Sequence, residues 1–407
     1  MKNVSLQAAP VRLILSLLAA SLLLVCARSC AYADPAPADT GPDAPAATAL
    51  PLEQVARMLS ALPLQNEQLH EVYDAVGASS GNGYDEEYTM KNLLEAPGSG
   101  VGDAPAARAA AASRYRQPLR SLIAEYLASS PGSPLLQRFS TRDGAADVQA
   151  CLDALSESDI QIYWPYSEDW DGERFPLITY DPGYGAQSNY AYEIRRDGDA
   201  LVVVDSVYVD ENVARSRPVW VINRNDDSAF TPVELVRPRD APAGKAATRG
   251  GSRVLYLKHF QMLRNYDSWF AGASEFFIKC GSVQGFKATT EAELKLYSPS
   301  VTDFMVVVRR KEMGLELPLR AVLLTDFTNQ LEKLAFLITE DDGGTWTSWK
   351  CSATVKVNSK SYGFDVDIPY RDKDDIVWRG QLDASFFQKE DTVSARFGDV
   401  IVGFELE

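Results

Sequence analysis

Residues 158–164 (SDIQIYW) mark the point at which the chain changes its periodicity. Before this stretch, apolar residues recur at spacings of three and four, which is typical of amphipathic helices. After it, apolar residues alternate with polar ones or form short apolar runs, which is typical of strands. The change predicts an α+β fold, with an N-terminal helical segment at 52–158 and two β-rich modules after it.

Toward the N-terminus, the helical segment opens with an amphipathic pattern. Val55, Met58, Leu59 and Leu62 lie at positions i, i+3, i+4 and i+7, and Pro63 predicts the end of that helix. Further helices are predicted at 69–76, 108–128 and 148–155. Such short helices predict a small bundle that packs against a larger β-rich body.

Toward the C-terminus, the first β-rich module is assigned to residues 159–240. Within it, the continuous apolar run at 201–204 (LVVV) predicts a strand that is covered on both faces. Residues 241–252 combine Gly, Pro and small residues and predict a linker. In the remaining residues, 253–407, strand and turn signals alternate at the spacing of an antiparallel β-sandwich.

The N-terminal residues have the layout of a secretory leader. An apolar run at 13–25 (LILSLLAASLLLV) precedes Ala31-Tyr32-Ala33, which places small residues before a cleavage point at Asp34. We therefore expect a signal peptide at 1–33, a disordered Pro/Ala linker at 34–51, and a periplasmic, secreted or surface-tethered protein. In the alternative case, the protein is a lipoprotein whose contact with the membrane is an anchor at Cys30.

The charge and the histidine content exclude several function classes. The chain has 40 Lys and Arg against 56 Asp and Glu, a formal net charge of −16. This charge repels phosphate backbones, so nucleic acid is not expected as a partner. Only His70 and His259 are present, and neither has a second histidine at metal-ligand spacing. No catalytic residue is therefore predicted, and the expected partner is a protein or glycan of the cell envelope.

The cysteines of the body allow two interpretations. Three cysteines follow the predicted leader, and because the number is odd, at least one thiol cannot form a disulfide within the chain. Cys280 and Cys351 lie at the ends of predicted strands in one module, and an oxidising compartment would permit a disulfide between them. The alternative is that Cys151, Cys280 and Cys351 are buried thiols that pack as small apolar side chains.

An aromatic and acidic segment at 163–173 (YWPYSEDWDGE) suggests a second function. Aromatic rings can stack on sugars, and paired carboxylates can bind hydroxyls or hydrolyse a glycosidic bond. On this hypothesis the protein binds or hydrolyses glycans. Its site would comprise Trp164, Glu168, Trp170 and Asp171. The other interpretation is a rim loop whose rings cover the core and whose Asp171-Gly172 forms a turn.

Acidic loops in the last module suggest a cation site. One loop contains Asp267, and a second acidic stretch, at residues 339–344 (TEDDGG), follows a later predicted strand. If the loops meet at one end of the sandwich, their carboxylates can supply the oxygen ligands that calcium requires. The predicted metal ligands are Asp267, Glu340, Asp341 and Asp342. The alternative is a set of exposed turns, where Asp and Gly are common.

The arrangement of a strand, the Asp267 loop and residues 338–342 (ITEDD) resembles the acidic loops of C2-type β-sandwich domains. The resemblance covers residues 253–407. It implies an eight-stranded sandwich that contacts a membrane or a protein at its loop end. Together these features predict an exported, non-enzymatic binding module of the cell envelope, with calcium as the candidate cofactor.

Overall fold

The computed structural model describes residues 49–95, 115–140, 145–197, 200–225 and 253–407. The predicted leader, the lipid-anchor cysteine Cys30, nearly all of the Pro/Ala linker and the 241–252 linker lie outside these ranges. Within the described ranges, no helix has both the length and the apolar character needed to cross a membrane.

The N-terminal part contains short helices close to their predicted positions. Leu119–Ser129 begins directly after Pro118, which lies at the start of the helix because its ring cannot fit the helix interior. The helices are α1 (Leu52–Ser60), α2 (Asn66–Ser80), α3 (Met90–Leu94), α4 (Leu119–Ser129), α5 (Pro134–Gln137), α6 (Val148–Ser156) and α7 (Glu211–Ala214).

A six-stranded sheet joins the helical segment to the strands that follow it. Its strands are β1 (Glu87–Thr89), β2 (Ile160–Tyr163), β3 (Leu177–Tyr180), β4 (Ser188–Asp197), β5 (Ala200–Asp210) and β6 (Val219–Arg224). They lie in the order β1-β2-β6-β3-β4-β5, and all pairs are antiparallel except β3 with β6. Strand β1 comes from the segment predicted as helical, so that segment contributes both helices and a strand to one packed body.

The two faces of this sheet pack against different parts of the chain. In β6, Trp220 and Ile222 belong to a core shared with the helices, whereas Val219 and Val221 belong to a core shared with Trp269. This alternation follows from the twofold periodicity of a strand. The central strands are therefore buried on both faces.

The edge strand β5 differs from its prediction. Val202 and Val203 are 43% and 39% exposed, so the apolar run at 201–204 is not covered on both faces. The prediction was wrong because β5 lies at the edge of the sheet, where the sequence of a strand does not reveal which faces have a neighbour.

The C-terminal part forms two antiparallel sheets. One has the order β10-β7-β16-β15, and the other has the order β13-β12-β11-β8-β9 with β14 paired to β11. Their strands are β7 (Arg253–Met262), β8 (Ser274–Ser282), β9 (Ser300–Val308), β10 (Leu317–Phe327), β11 (Leu331–Glu340), β12 (Trp346–Val357), β13 (Lys360–Arg371), β14 (Asp375–Asp383), β15 (Thr392–Phe397) and β16 (Val400–Leu406). Both sheets contribute to one apolar core, in which Phe260 and Phe404 of the first lie with Phe276 and Phe336 of the second.

Residues 263–273, between β7 and β8, connect the C-terminal sheets to the six-stranded sheet; we call them the docking loop. Its Trp269 and Phe270 are completely buried in the core shared with that sheet. Trp269 Nε1 donates to the Gln187 carbonyl at 3.0 Å, and Asn223 Nδ2 donates to the Phe270 carbonyl at 3.1 Å. The chain from Leu50 to Glu407 accordingly forms one compact unit.

Candidate metal centre

Three carboxylates meet where the docking loop leaves the C-terminal sheets. Asp267 lies in the loop, Glu275 lies near the start of β8, and Glu340 is the last residue of β11. Strands β8 and β11 pair with Phe276 opposite Glu340, and Asp341 N donates to the Glu275 carbonyl at 2.9 Å. This pairing brings one oxygen of each carboxylate within 4.8 Å of the others. We call Asp267, Glu275 and Glu340 the junction cluster.

Burial governs the electrostatics of the junction cluster. Glu275 and Glu340 are 5% and 1% exposed. Desolvation raises the pKa of Asp267 to about 6, because a buried carboxylate loses its hydration. The negative charge of Asp342 raises this pKa further, whereas a hydrogen bond with Glu340 opposes the rise. The arrangement therefore favours binding of either a proton or a cation.

Arg310 is a buried cation whose charge acts on Asp267, and its side-chain hydrogen bonds go to acceptors other than the cluster carboxylates. Its Nε donates to Glu211 Oε1 at 3.0 Å, and its Nη1 donates to the backbone carbonyl of Asp267 at 3.2 Å. The guanidinium lowers the pKa of Asp267, although less than desolvation raises it. Arg310 thus holds the backbone of the docking loop to α7 and offsets part of the negative charge.

Asp85 fixes the other end of the docking loop. Its Oδ2 accepts a hydrogen bond from Ala273 N at 3.0 Å, and desolvation raises its pKa to about 6. Gly272 has a φ of +136°, and a Cβ at that position would lie 2.8 Å from Asp85 Oδ2. Glycine is required here because the backbone conformation and the close approach both exclude a side chain.

The junction cluster contains two of the four predicted metal ligands. Asp267 and Glu340 belong to it, whereas Asp341 accepts a hydrogen bond from Arg371 Nη1 at 3.2 Å. Asp342 is exposed and is not one of the three carboxylates, although its charge raises the pKa of Asp267. Glu275 was missed because it lies in an apolar strand, SEFFI. The available signal was its place at the start of a strand that follows an acidic loop.

The aromatic segment does not form the predicted sugar-binding surface. The Trp164 ring is completely buried and packs against Tyr73, Trp170 and Trp220, so it cannot stack on a sugar. The cavity beside Trp164 and Trp170 measures about 70 Å³, well below the roughly 300 Å³ at which ligand pockets begin.

The two predicted acids of this segment have structural partners. Glu168 forms an ion pair with Lys311, and Asp171 accepts hydrogen bonds from the backbone of Glu173 and Arg174 at 3.0 and 2.8 Å. The latter is the turn that Asp commonly forms with the residues after it. The buried Trp164 therefore cannot take the role predicted for it in a glycan site on Trp164, Glu168, Trp170 and Asp171, and Asp171 forms the turn of the other interpretation.

The predicted disulfide is absent, because Cys151, Cys280 and Cys351 are all free thiols. Cys280 is fully buried in the core, where burial strongly raises the pKa of its thiol. The thiol of Cys351 donates instead to the Val366 carbonyl of the adjacent strand at 3.4 Å. Sequence position alone did not reveal that Cys351 faces its own hairpin partner.

The chain matches no family model, no curated protein and no solved structure. The fold and the site therefore define the protein only as an α+β protein with a buried carboxylate cluster at the junction of its sheets. The C2-type resemblance stays a prediction.

Proposed function

We propose that this protein is an exported, non-enzymatic binding module of the cell envelope that is stabilised by calcium. The junction cluster is the observation that carries the proposal. Asp267, Glu275 and Glu340 bring three carboxylates within 4.8 Å of one another, with Glu275 and Glu340 buried and Asp267 partly buried. Bound calcium would hold the docking loop against strands β8 and β11 of the C-terminal sheets.

The chemistry of the donors suits calcium. This ion takes six to eight oxygen ligands, and a carboxylate can supply one or two of them. The three carboxylates repel one another in a region from which water is largely excluded, and a divalent cation removes that repulsion. The nearby charges of Asp85 and Asp342 add to the attraction, because both raise the pKa of Asp267.

The architecture supports the C2-type part of the proposal. Two antiparallel sheets share one core, which is the arrangement of a β-sandwich. The loop that carries Asp267 and the strand end that carries Glu340 lie together, as the acidic loops do in C2-type domains. We propose that a protein or glycan partner binds this acidic module outside the cytoplasm.

Calcium binding is tested by thermal unfolding of the protein in calcium and in a chelator. A ligand that binds only the folded state stabilises it by about 2.7 kcal/mol at 100 times its Kd. We expect a rise in Tm with calcium, and we expect Glu275→Gln to abolish the rise. Asp365→Asn changes an exposed carboxylate outside the cluster and is the matched control. An unchanged Tm at millimolar calcium, or an equal response of both variants, would refute the calcium site.

Export is tested separately by fractionating the producing cells and sequencing the N-terminus of the protein. We expect a mature chain that begins at Asp34 in the envelope or the medium. A chain that begins at a lipid-modified Cys30 would support export with the alternative anchor. Recovery of the protein with its leader intact from the cytosol would contradict the proposed location.

A further inference from the structure

A serine, a histidine and a glutamate meet on one face of the four-stranded sheet β10-β7-β16-β15. His259 lies on β7, Ser394 lies on β15, and Glu316 directly precedes β10. His259 Nε2 lies 3.1 Å from Ser394 Oγ, which is hydrogen-bond distance, and His259 Nδ1 lies 3.5 Å from Glu316 Oε1. None of the three belongs to the junction cluster, so the inference does not depend on calcium binding there.

An irregularity in β7 directs His259 away from the core. Leu257 and Phe260 are both completely buried in the core, although regular alternation places residues three apart on opposite faces of a strand. The pairing of β7 with β16 shifts by one residue at this point, so Lys258 is an extra residue in β7. Such a bulge places Lys258 and His259 together on the face opposite the core.

Gly403 of β16 makes room for the imidazole of His259. It lies between the two other strands and pairs with His259 on one side and with Ser394 on the other. A Cβ at this position would overlap Cε1, Nδ1 and Nε2 of the His259 ring. The ring therefore lies directly over the glycine backbone and reaches across β16 to Ser394.

The order of these contacts is that of an activated nucleophile. A serine hydroxyl gains reactivity when an adjacent base can accept its proton and a third group orients that base. The carboxylate of Glu316 favours the imidazole tautomer with its proton on Nδ1, which leaves Nε2 to accept from Ser394 Oγ. The side chain of His259 is only 12% exposed, whereas Ser394 is exposed. The base is therefore held in place, and the hydroxyl is accessible to an incoming molecule.

We propose that Ser394 is an acylation site that takes its acyl group from a carboxylic ester. Ser394 Oγ attacks the carbonyl carbon of the ester while its proton passes to His259 Nε2. The bond from that carbon to the alcohol oxygen then breaks, the alcohol leaves with the proton, and an O-acylserine remains. One C–O bond forms and one breaks, so the step consumes no oxidant or cofactor. The inference goes beyond the proposed function, because it adds a covalent modification to a binding module.

The test is incubation of the full chain with 4-nitrophenyl acetate, and peptide mass spectrometry locates the acetyl groups because the ester also reacts with amines. We expect acetylation of Ser394, and we expect His259→Gln to slow it about 100-fold, the lower end of the usual contribution of a general base. Ser394→Ala should remove the acetyl group from that peptide. Ser361→Ala removes an exposed serine of β13 and, as the matched control, should leave acetylation of Ser394 unchanged.

The orienting role of Glu316 is tested on the imidazole itself by nitrogen-15 NMR, in which the two histidines of the chain give few signals. We expect neutral His259 to carry its proton on Nδ1, and we expect Glu316→Gln to move part of that proton to Nε2 without changing the Tm. The proposal is overturned if Ser394 is not acetylated or if His259→Gln is acetylated at the unchanged rate. A proton on Nε2 in the unchanged protein would also overturn it, because Nε2 could not then accept from the hydroxyl.

Discussion

Glu340 and Asp341 are adjacent in the sequence and equally buried, yet different charged groups surround their carboxylates. Each is 1% exposed. Glu340 joins Asp267 and Glu275 in the junction cluster, where three carboxylates meet. Asp341 instead pairs with Arg371 at 3.2 Å. Because successive side chains of an extended chain point in opposite directions, neighbouring acids reach different surroundings.

The difference lies in how each environment compensates the cost of burying charge. Around Asp341, the guanidinium of Arg371 supplies the opposite charge, and Arg371 N also donates to Asp374 at 2.9 Å. In the junction cluster, Arg310 offsets part of the negative charge on Asp267, and we propose that a proton or a bound cation compensates more of it. We therefore expect the junction cluster to respond more strongly than the Asp341 environment to pH and, if the proposed site exists, to calcium.

Removal of Arg371 should have the largest effect, because it would leave the buried carboxylate of Asp341 without its guanidinium. We expect Arg371→Ala to lower the free energy of unfolding by about 3–5 kcal/mol, the usual result of breaking a buried ion pair from one side. Chemical denaturation measures this loss. Arg396→Ala removes an exposed pair with Asp399 and should cost less than about 1 kcal/mol. Equal losses of unfolding free energy in the two variants would show that the buried Arg371–Asp341 pair stabilises the fold no more than an exposed pair does.

The second-largest expected effect is a pH dependence of stability that arises from the junction cluster. In the folded chain the pKa of Asp267 is about 6, whereas in the unfolded chain it is about 4. Between these values the folded state holds a proton that the unfolded state has lost. Stability measured in chelator should therefore rise as the pH falls from 7.5 to 5, and Asp267 alone should contribute about 1.4 kcal/mol to the rise.

Two comparisons identify the source of this pH effect. The pKa values of Asp85 and Glu86 are also raised by burial, to about 6 and about 7, and act in the same direction. Asp267→Asn should remove the contribution of Asp267 to the change of stability with pH. Saturating calcium should also reduce this change, because the metal requires deprotonated ligands. A slope that neither treatment changes would mean that Asp267 does not contribute.

Neutralising each of the adjacent acids should give effects of opposite sign. In chelator at pH 7.5, Glu340→Gln should raise the free energy of unfolding by about 1 kcal/mol, because it removes repulsion within the cluster. Asp341→Asn should lower it by about 2 kcal/mol, since it weakens charged hydrogen bonds with Arg371. Denaturant titrations of both variants provide the comparison. Effects of the same sign would contradict the contrast between the two environments.

The smallest expected effect concerns the cysteines. Since both environments are held by noncovalent contacts and the described cysteines are free, reductant should leave the Tm unchanged. Nonreducing and reducing scans of the same preparation test this expectation. A fall of several degrees on reduction would show a disulfide and would contradict the free thiols.

Parts of the fold were predictable because they depend on local patterns. The spacing of Val55, Met58, Leu59 and Leu62 predicted the helix that the structure places at Leu52–Ser60. Strand β1 at Glu87–Thr89 was missed, since three residues are too few to display a twofold period. The exposure of β5 was also missed, because it depends on the order of strands in the sheet.

The sequence alone determined the mixed α and β character, the acidic charge and the position of acids in the two loops, because periodicity and composition are local properties. The tertiary structure alone decided which acids meet. It brought Glu275 to Asp267 and Glu340, directed Asp341 to Arg371, and buried Trp164 in the core. The physical reason is that strand pairing and loop docking join residues far apart in the chain, and no local pattern records that juxtaposition.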